Sequence, residues 1–577
     1  MSFDREWHKL PRPIAARRLI EIRNQLREQN LFDTEEPPHP RHEGPVPPEA
    51  RAARTSDGTF NDLAVPRMGS AGARFGRNVP LGETFPDTAN LLSPNPRTVS
   101  RELFTRTTFQ PATILNLLAA AWIQFQVHDW FAHRKRDAAD AHEIPLAPGD
   151  PWPDAAMRVP RSQPDPPTVP GSTRPPAYAN ENSHWWDGSQ VYGSSAAVEA
   201  AIRTGTDGKV RVGADGRLPL DPATGLEITG VTDNSWVGLS LLHGVFALEH
   251  NAICERLRRD FPAWDDQRLF RQARLINAAL MAKIHTVEWT PAILPHPVTQ
   301  LALRTNWSGI LPALQKVFPG LDDRDLLSGI PGSPTDHHAA PYSLTEEFAA
   351  VYRMHSLMPD EFTFWSAADG SELGRFELPA LSGRQGRRLL EQFGPTDLLY
   401  SLGVSHPGAL RLHNYPRHLQ NLVRDNGERF DMATVDILRD RERGVPRYNR
   451  FRRLFHKPPV KTFEELTDNP RWAAEIKQVY DNDLEKVDLM VGLMAEPLPE
   501  GFGFSDTAFR VFVLMASRRL KSDRFLSADY TAEVYTQQGI EWIEETTMAD
   551  VLTRHFPGVA PALRGVANAF HPWKPAA

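Results

Sequence analysis

The chain has 577 residues, 41% hydrophobic and 24% charged, an ordinary globular composition long enough for one large domain or two to three smaller ones. A formal net charge of −7 provides no basic field, which argues against nucleic acid as a partner. The single cysteine, Cys254, rules out an intrachain disulfide and any cysteine-held metal cluster.

Residues 1–11 are polar and charged (Asp4, Arg5, Glu6, Lys9) and contain no apolar signal core. No run of about 18 apolar residues is seen that would span a bilayer. The expectation is a cytoplasmic protein without a transmembrane segment, with lipid contact only at its periphery. An amphipathic, partly basic helix is predicted over 15–30, read either as a solvated helix packed on the body or as a membrane contact. The 51 prolines cluster at 37–48 and 145–176. Proline lacks a backbone donor, so neither stretch is a helix interior or a central strand. The second is read as a surface loop, about 145–179, wrapping a helical body.

Helical period dominates elsewhere. Residues 112–127 (ATILNLLAAAWIQFQV) are almost wholly apolar and predict a buried helix. Segments 235–260 and 268–289 continue that character, and 344–357, 431–439 and 507–521 supply three more helices. Alternating strands are scarce and no internal repeat is visible. The predicted fold is mainly α, with an N-terminal helix and Pro-rich extension at 1–60 and a single large domain at 61–577.

Three clusters carry chemistry. Gln124 and His128 lie four apart on the apolar helix and so share a face. A histidine there is either a satisfied core residue or part of a site. The adjoining Asp129 adds weight to a site without deciding it, because a buried carboxylate needs a cationic partner. In SHWWDGSQVYG, oxygen-bearing groups recur at every second residue: Ser183, the Trp185 carbonyl, Asp187 and Ser189. Alternate groups on an extended or looped backbone point one way and wrap a hard cation such as calcium, with Asp129 as a second carboxylate. The plainer alternative is an Asp-Gly turn. In TEEFAAVYRMHSLMPDEF, Tyr352 and His355 are three apart and on a helix would share a face.

Together these segments resemble the haem peroxidase–cyclooxygenase superfamily, and within it the fatty-acid α-dioxygenases. QFQVHDW is similar to the distal segment, which implies Gln124 and His128 over the haem and Asp129 on calcium. SHWWDGSQVYG resembles the calcium loop, with Ser183 where the α-dioxygenases usually have threonine. LEHNAICERL contains the Glu249 to Asn251 signature, and RDRERGVPRYNRFR (439–452) matches a further family segment. TEEFAAVYRMHSLMPDEF is similar to the proximal helix, implying Tyr352 as the radical residue and His355 as the axial haem ligand. AKIHTVEWT resembles the carboxylate-binding helix and maps its ligands to His285 and Thr290. MASRRLKSDRF offers the arginine partner of the carboxylate, as either Arg518 or Arg519. RLHNYP, with His413 and Asn414, is the candidate for the group that hydrogen-bonds His355. The resemblance runs from about residue 100 to about 560.

The resemblance implies a single cyclooxygenase-like helical domain that holds haem b and calcium. Val127 stands where mammalian-type peroxidases carry an acid esterified to the haem, so the haem is expected to be non-covalent. The implied substrates are a fatty acid and O2, with a hydroperoxide as activator. In the expected reaction a Tyr352 radical takes an α-hydrogen and O2 adds there. The 2-hydroperoxy product can decarboxylate to an aldehyde one carbon shorter. The alternatives are a peroxidase acting on small donors, a mid-chain fatty-acid dioxygenase, and a non-catalytic haem- or lipid-binding relative.

Overall fold

The computed structural model describes residues 6–134, 139–167, 169–232, 234–309, 329–424 and 427–576. Residues 1–5 of the polar amino terminus lie outside it. Helix α1 (Arg12–Gln29) buries Ala15, Leu19, Ile22 and Leu26, a four-three-four spacing that turns one stripe inward. Just before it, Trp7 stacks on Phe509 at 5.4 Å and donates its indole N–H to Asp506 at 2.8 Å. The N-terminal helix is therefore pinned to the core at its entry.

The apolar segment at 112–127 becomes helix α2 (Leu117–Trp130), which starts five residues later than expected because Asn116 caps it. The Asn116 side chain accepts from Ala119 N at 3.2 Å and donates to two carbonyls near the carboxyl terminus. Nearly every face of α2 is buried, as its composition requires. Helices α3 (Val237–Asp260) and α4 (Asp266–Ile284) follow. Phe125 of α2 stacks on Phe246 of α3 at 5.6 Å. Among the described residues α3 alone is long and apolar enough to cross a membrane, but its apolar window is 78% buried inside the protein. It is the core helix.

Helix α5 (Pro297–Ser308), a short α6 (Glu346–Val351), α7 (Met432–Glu442) and α8 (Asp506–Ser522) complete the elements around the site, and α9 (Met548–His555) packs near the carboxyl end. Strand is confined, among the described residues, to three two-stranded antiparallel ribbons. One of them, β1 (Ala141–Pro145) paired with β2 (Ala156–Pro160), lies within and beside the Pro-rich stretch expected to be loop. Ile144, Met157 and Val159 alternate inward there and form a small satellite core with Trp152 and Leu438. The prolines stand at the ribbon's ends, where no ladder donor is lost.

Candidate active site

The expected helix over 268–289 is regular only to Ile284. From His285 to Trp289 it widens into a π turn and then resumes over Thr290–Ile293. The widened turn immediately precedes Pro291, which has no N–H to return to the ladder. Trp289 pins the turn by donating to Ala119 O of α2 at 2.9 Å. Thr290 donates its hydroxyl to His285 O at 2.8 Å. His285 stacks on Trp289 at 4.8 Å and meets the edge of Trp130 at 5.1 Å. Burial and the nearby Arg519 push the His285 pKa well below its ordinary value, so the ring is neutral.

The helix expected over 344–357 is also broken, and the break separates its two candidate side chains, Tyr352 and His355. α6 ends at Val351, Tyr352 leaves helical geometry, and a short 3-10 turn follows at His355–Leu357. Tertiary bonds replace the ladder. Arg106 donates to Ser356 O at 3.2 Å and Met358 O at 3.0 Å, and Arg353 is drawn to Asp436 at 2.7 Å and Asp440 at 2.8 Å. Tyr352 consequently packs on Phe348 at 4.6 Å and Trp130 at 5.1 Å. His355 lies instead near Tyr415, with ring centroids 5.9 Å apart.

His355 Nδ1 donates to Asp436 Oδ2 at 2.9 Å. The expected partners are elsewhere: His413 pairs with Glu475 at 2.7 Å, and Asn414 accepts from Arg106 while donating to Gln110 O. Asp436 is held ionised, because His355 and Arg353 outweigh its burial. With Nδ1 committed, His355 Nε2 remains to bind a metal, and the side chain is 36% exposed rather than sealed in the core. A carboxylate-backed imidazole suits an axial iron ligand.

Tyr352, His285, Thr290 and Arg519 line one narrow cavity of about 20 Å³, whose remaining wall is largely apolar, with Phe348, Phe512 and Leu303 among its residues. The Arg519 guanidinium lies 4.0 Å from the Trp186 ring and 4.4 Å from Trp130. Its Nε and Nη2 are buried and have no hydrogen-bond partner among the described residues. Arg518, the other candidate, points away. It braces a loop through the carbonyls of His337, Ala340, Pro341 and Ser343, at 2.7–3.4 Å. Burial pushes the Arg518 pKa down to about 10. Asn306 also lines the cavity and lies in none of the sequence motifs.

On α2, the Gln124 carbonyl accepts from Trp236 Nε1 at 2.8 Å. One turn on, the His128 backbone carbonyl accepts from Asn182 at 2.7 Å. Behind them His243 bonds Thr229 at 2.8 Å, and burial with His128 nearby pushes its pKa down to about 3. Asp129 faces the SHWWDGS loop and accepts from Ser189 N at 2.5 Å. Ser183 and Ser189 donate to the two oxygens of Asp187 at 2.7 and 2.8 Å. Burial, with Asp187 close by, raises the Asp129 pKa. As anions the pair therefore call for positive charge at the cluster. Among the described residues no three His, Cys, Asp or Glu side chains converge as a metal site, so a cation here would rely on two carboxylates and neutral oxygens.

Sequence reasoning missed Asp436 and the aromatic frame of Trp122, Trp130 and Trp186. Asp436 was signalled by an acid inside the apolar run ATVDIL, the argument already applied to Asp129. The tryptophans sit within motifs that were read for their polar members alone.

The animal haem peroxidase profile matches residues 53–566. The chain is 37% identical to alpha-dioxygenase PIOX of Oryza sativa subsp. japonica, over 99% of this chain and 94% of that protein. It is 37% identical to alpha-dioxygenase 1 of Arabidopsis thaliana, over 98% of this chain and 90% of that protein. The crystal structure of the Oryza sativa fatty acid alpha-dioxygenase superposes with a TM-score of 0.91 at 35% identity, covering 98% of this chain and 94% of that one. A Tyr-to-Phe form of that protein was solved with palmitic acid. Peroxidase A from Dictyostelium discoideum shares the fold alone, with a TM-score of 0.70 at 20% identity.

Proposed function

Because the chain belongs to the animal haem peroxidase family, in its alpha-dioxygenase branch, we propose that it oxygenates a long-chain fatty acid at the α-carbon with Tyr352 as the radical residue. The observation that carries this reading is the shared cavity: a phenol and a buried guanidinium, two of whose nitrogens have no hydrogen-bond partner among the described residues, line the same apolar space. A carboxylate answers that guanidinium, and a hydrocarbon chain suits the rest of the wall.

His355 would hold haem non-covalently through Nε2, with Asp436 fixing the imidazole. Haem, when bound and with a hydroperoxide as activator, would supply the oxidising equivalent. His128, with Gln124 beside it on the same helix, would move a proton, and Tyr352 would give up an electron and its phenolic proton. Burial raises the Tyr352 pKa, so the residue rests as a phenol with a hydrogen atom to lose. Arg519 pairs with the substrate carboxylate and His285 donates a hydrogen bond. Thr290 can join only by turning its hydroxyl away from His285 O. Anchoring the head group brings the α-carbon to Tyr352 rather than a position down the chain. The Tyr352 radical takes one α-hydrogen and O2 adds to the carbon radical; the resulting peroxyl radical takes a hydrogen atom back from the Tyr352 phenol, which restores the tyrosyl radical and gives a 2-hydroperoxy acid that can lose CO2 and water to leave an aldehyde. Calcium at Asp129, Asp187, Ser183, Ser189 and the Trp185 carbonyl would neutralise the buried acids and tie α2 to the loop.

Oxygen uptake by the haem-loaded protein with a saturated fatty acid, with products identified by mass spectrometry, tests the reading. An aldehyde one carbon shorter, or its 2-hydroperoxy precursor, is expected. Tyr352→Phe should abolish that product and spare peroxide-driven oxidation of a small donor. Equal loss of both activities counts against Tyr352 as the radical residue. Mid-chain products would put the anchor in the wrong place.

A further inference from the structure

A neutral imidazole carries one N–H, and a carboxylate only accepts hydrogen bonds. Which His285 nitrogen bears the proton therefore decides whether the ring attracts or repels the substrate's head group. Trp122 settles that choice. Its indole Nε1 lies 3.3 Å from His285 Nδ1, in donor geometry. An indole N–H only donates, so Nδ1 must accept and the proton sits on Nε2.

We propose that Trp122 is a positioning residue that locks His285 in the Nε2–H tautomer, so that the anchor presents a donor to the fatty-acid carboxylate; this rests on the carboxylate-anchor reading above.

The surroundings make the lock stiff. Trp122 is fully buried, its ring 5.9, 5.5 and 5.4 Å from those of Phe125, Phe246 and Phe570. His285 is held against Trp289, which bonds Ala119 one turn before Trp122 on the same helix. The π turn and its facing helix are thus tied together at two indole N–H groups. Trp122 is not part of the cavity wall, so it reaches the substrate only through His285. With Nε2–H fixed, Arg519 and His285 both present donors. A carboxylate matches that pair, and a primary amide, whose NH2 would meet an N–H, does not.

The test is steady-state oxygen uptake with a long-chain fatty acid by the holoenzyme carrying Trp122→Phe. A second form carries 3-benzothienylalanine at position 122, which keeps the ring's bulk and removes its N–H. Each is also combined with His285→Ala. The expected KM rises about tenfold, equivalent to about 1.4 kcal/mol, with kcat preserved within about twofold. No further rise is expected in the His285→Ala background, because the indole acts through that ring alone. Equal effects in both backgrounds would mark Trp122 as a packing residue and overturn the lock. So would an unchanged KM in the position-122 forms where His285→Ala raises it. An unchanged KM in His285→Ala itself would refute the anchor reading, and the lock with it.

Discussion

Arg519→Met separates the anchor from the rest of the enzyme. Methionine keeps an apolar stem between Trp130 and Trp186, which the guanidinium now approaches at 4.4 and 4.0 Å. What is lost is the charge and the fork of donors, two of whose nitrogens have no other hydrogen-bond partner among the described residues. Removing one member of a buried, hydrogen-bonded charge pair costs about 3–5 kcal/mol. That corresponds to a fall in kcat/KM for the fatty acid of roughly a hundredfold to a few thousandfold. Arg519→Lys retains a point charge without the planar fork and should fall between the two. The assay is oxygen uptake against fatty-acid concentration, run beside peroxide-driven oxidation of a small donor, which needs no anchor and should be unchanged. Arg518→Gln is the control: it strips four carbonyls of their donor and should lower the melting temperature without moving KM. An Arg519→Met enzyme with KM and kcat near the parent's would refute the reasoning, as would a larger kinetic loss in Arg518→Gln.

Three further outcomes are expected. Asp436→Ala removes the acceptor of His355 Nδ1–H and should weaken haem binding about 10–100-fold in a Soret titration; unchanged affinity would deny Asp436 that role. If calcium fills the Asp129–Asp187 cluster, free ion at about a hundred times its Kd adds about 2.7 kcal/mol of stability. A chelator should then lower the melting temperature and Asp187→Asn should abolish that response, whereas a parent protein indifferent to the chelator removes calcium from the account. His184, His243 and His250 are buried neutral, with pKa values pushed by burial to about 4, 3 and 4 from 6.5. The unfolded chain therefore takes up protons first as pH falls, so this stability is complete above about 6.5 and drains away toward 3–4. Each group contributes roughly 2 kcal/mol of loss near pH 5. Melting temperature should decline from pH 7 to 5, less steeply in His243→Gln, and a flat profile would contradict the neutral assignments.

Much of this architecture is legible in the chain, because its signals are local. The spacing of Ala15, Leu19, Ile22 and Leu26 places α1, and the all-round apolar run before His128 demands a central helix. Asp129 announces a site by being an acid where none is comfortable. What stays hidden depends on distant partners. The break after Val351 is supported by Arg106, 250 residues before Ser356, so helical periodicity through Tyr352 and His355 reads as continuous. Arg518 and Arg519 are adjacent on one helix and differ only in the face each presents. That choice is made by carbonyls of the loop at 337–343, which no spacing rule reaches. The ribbon of β1 and β2 was obscured by the very prolines that bound it.

If Arg519 seats the carboxylate as proposed, the cage around it has a redox consequence as well. Trp130 lies 5.1 Å from Tyr352, close enough for an indole to compete for an electron hole. Indoles give up electrons readily, and a hole that strayed onto Trp130 or Trp186 would be wasted as damage. The guanidinium over both faces opposes any positive charge developing on those rings, and it does so in a buried setting where water screens little. Tyr352 shares the cavity but is not stacked beneath the cation, and it sheds its proton along with its electron, so it builds up no such charge. On the reading proposed above, the arginine that seats the substrate would thus also act as an electrostatic insulator, confining the oxidising hole to Tyr352.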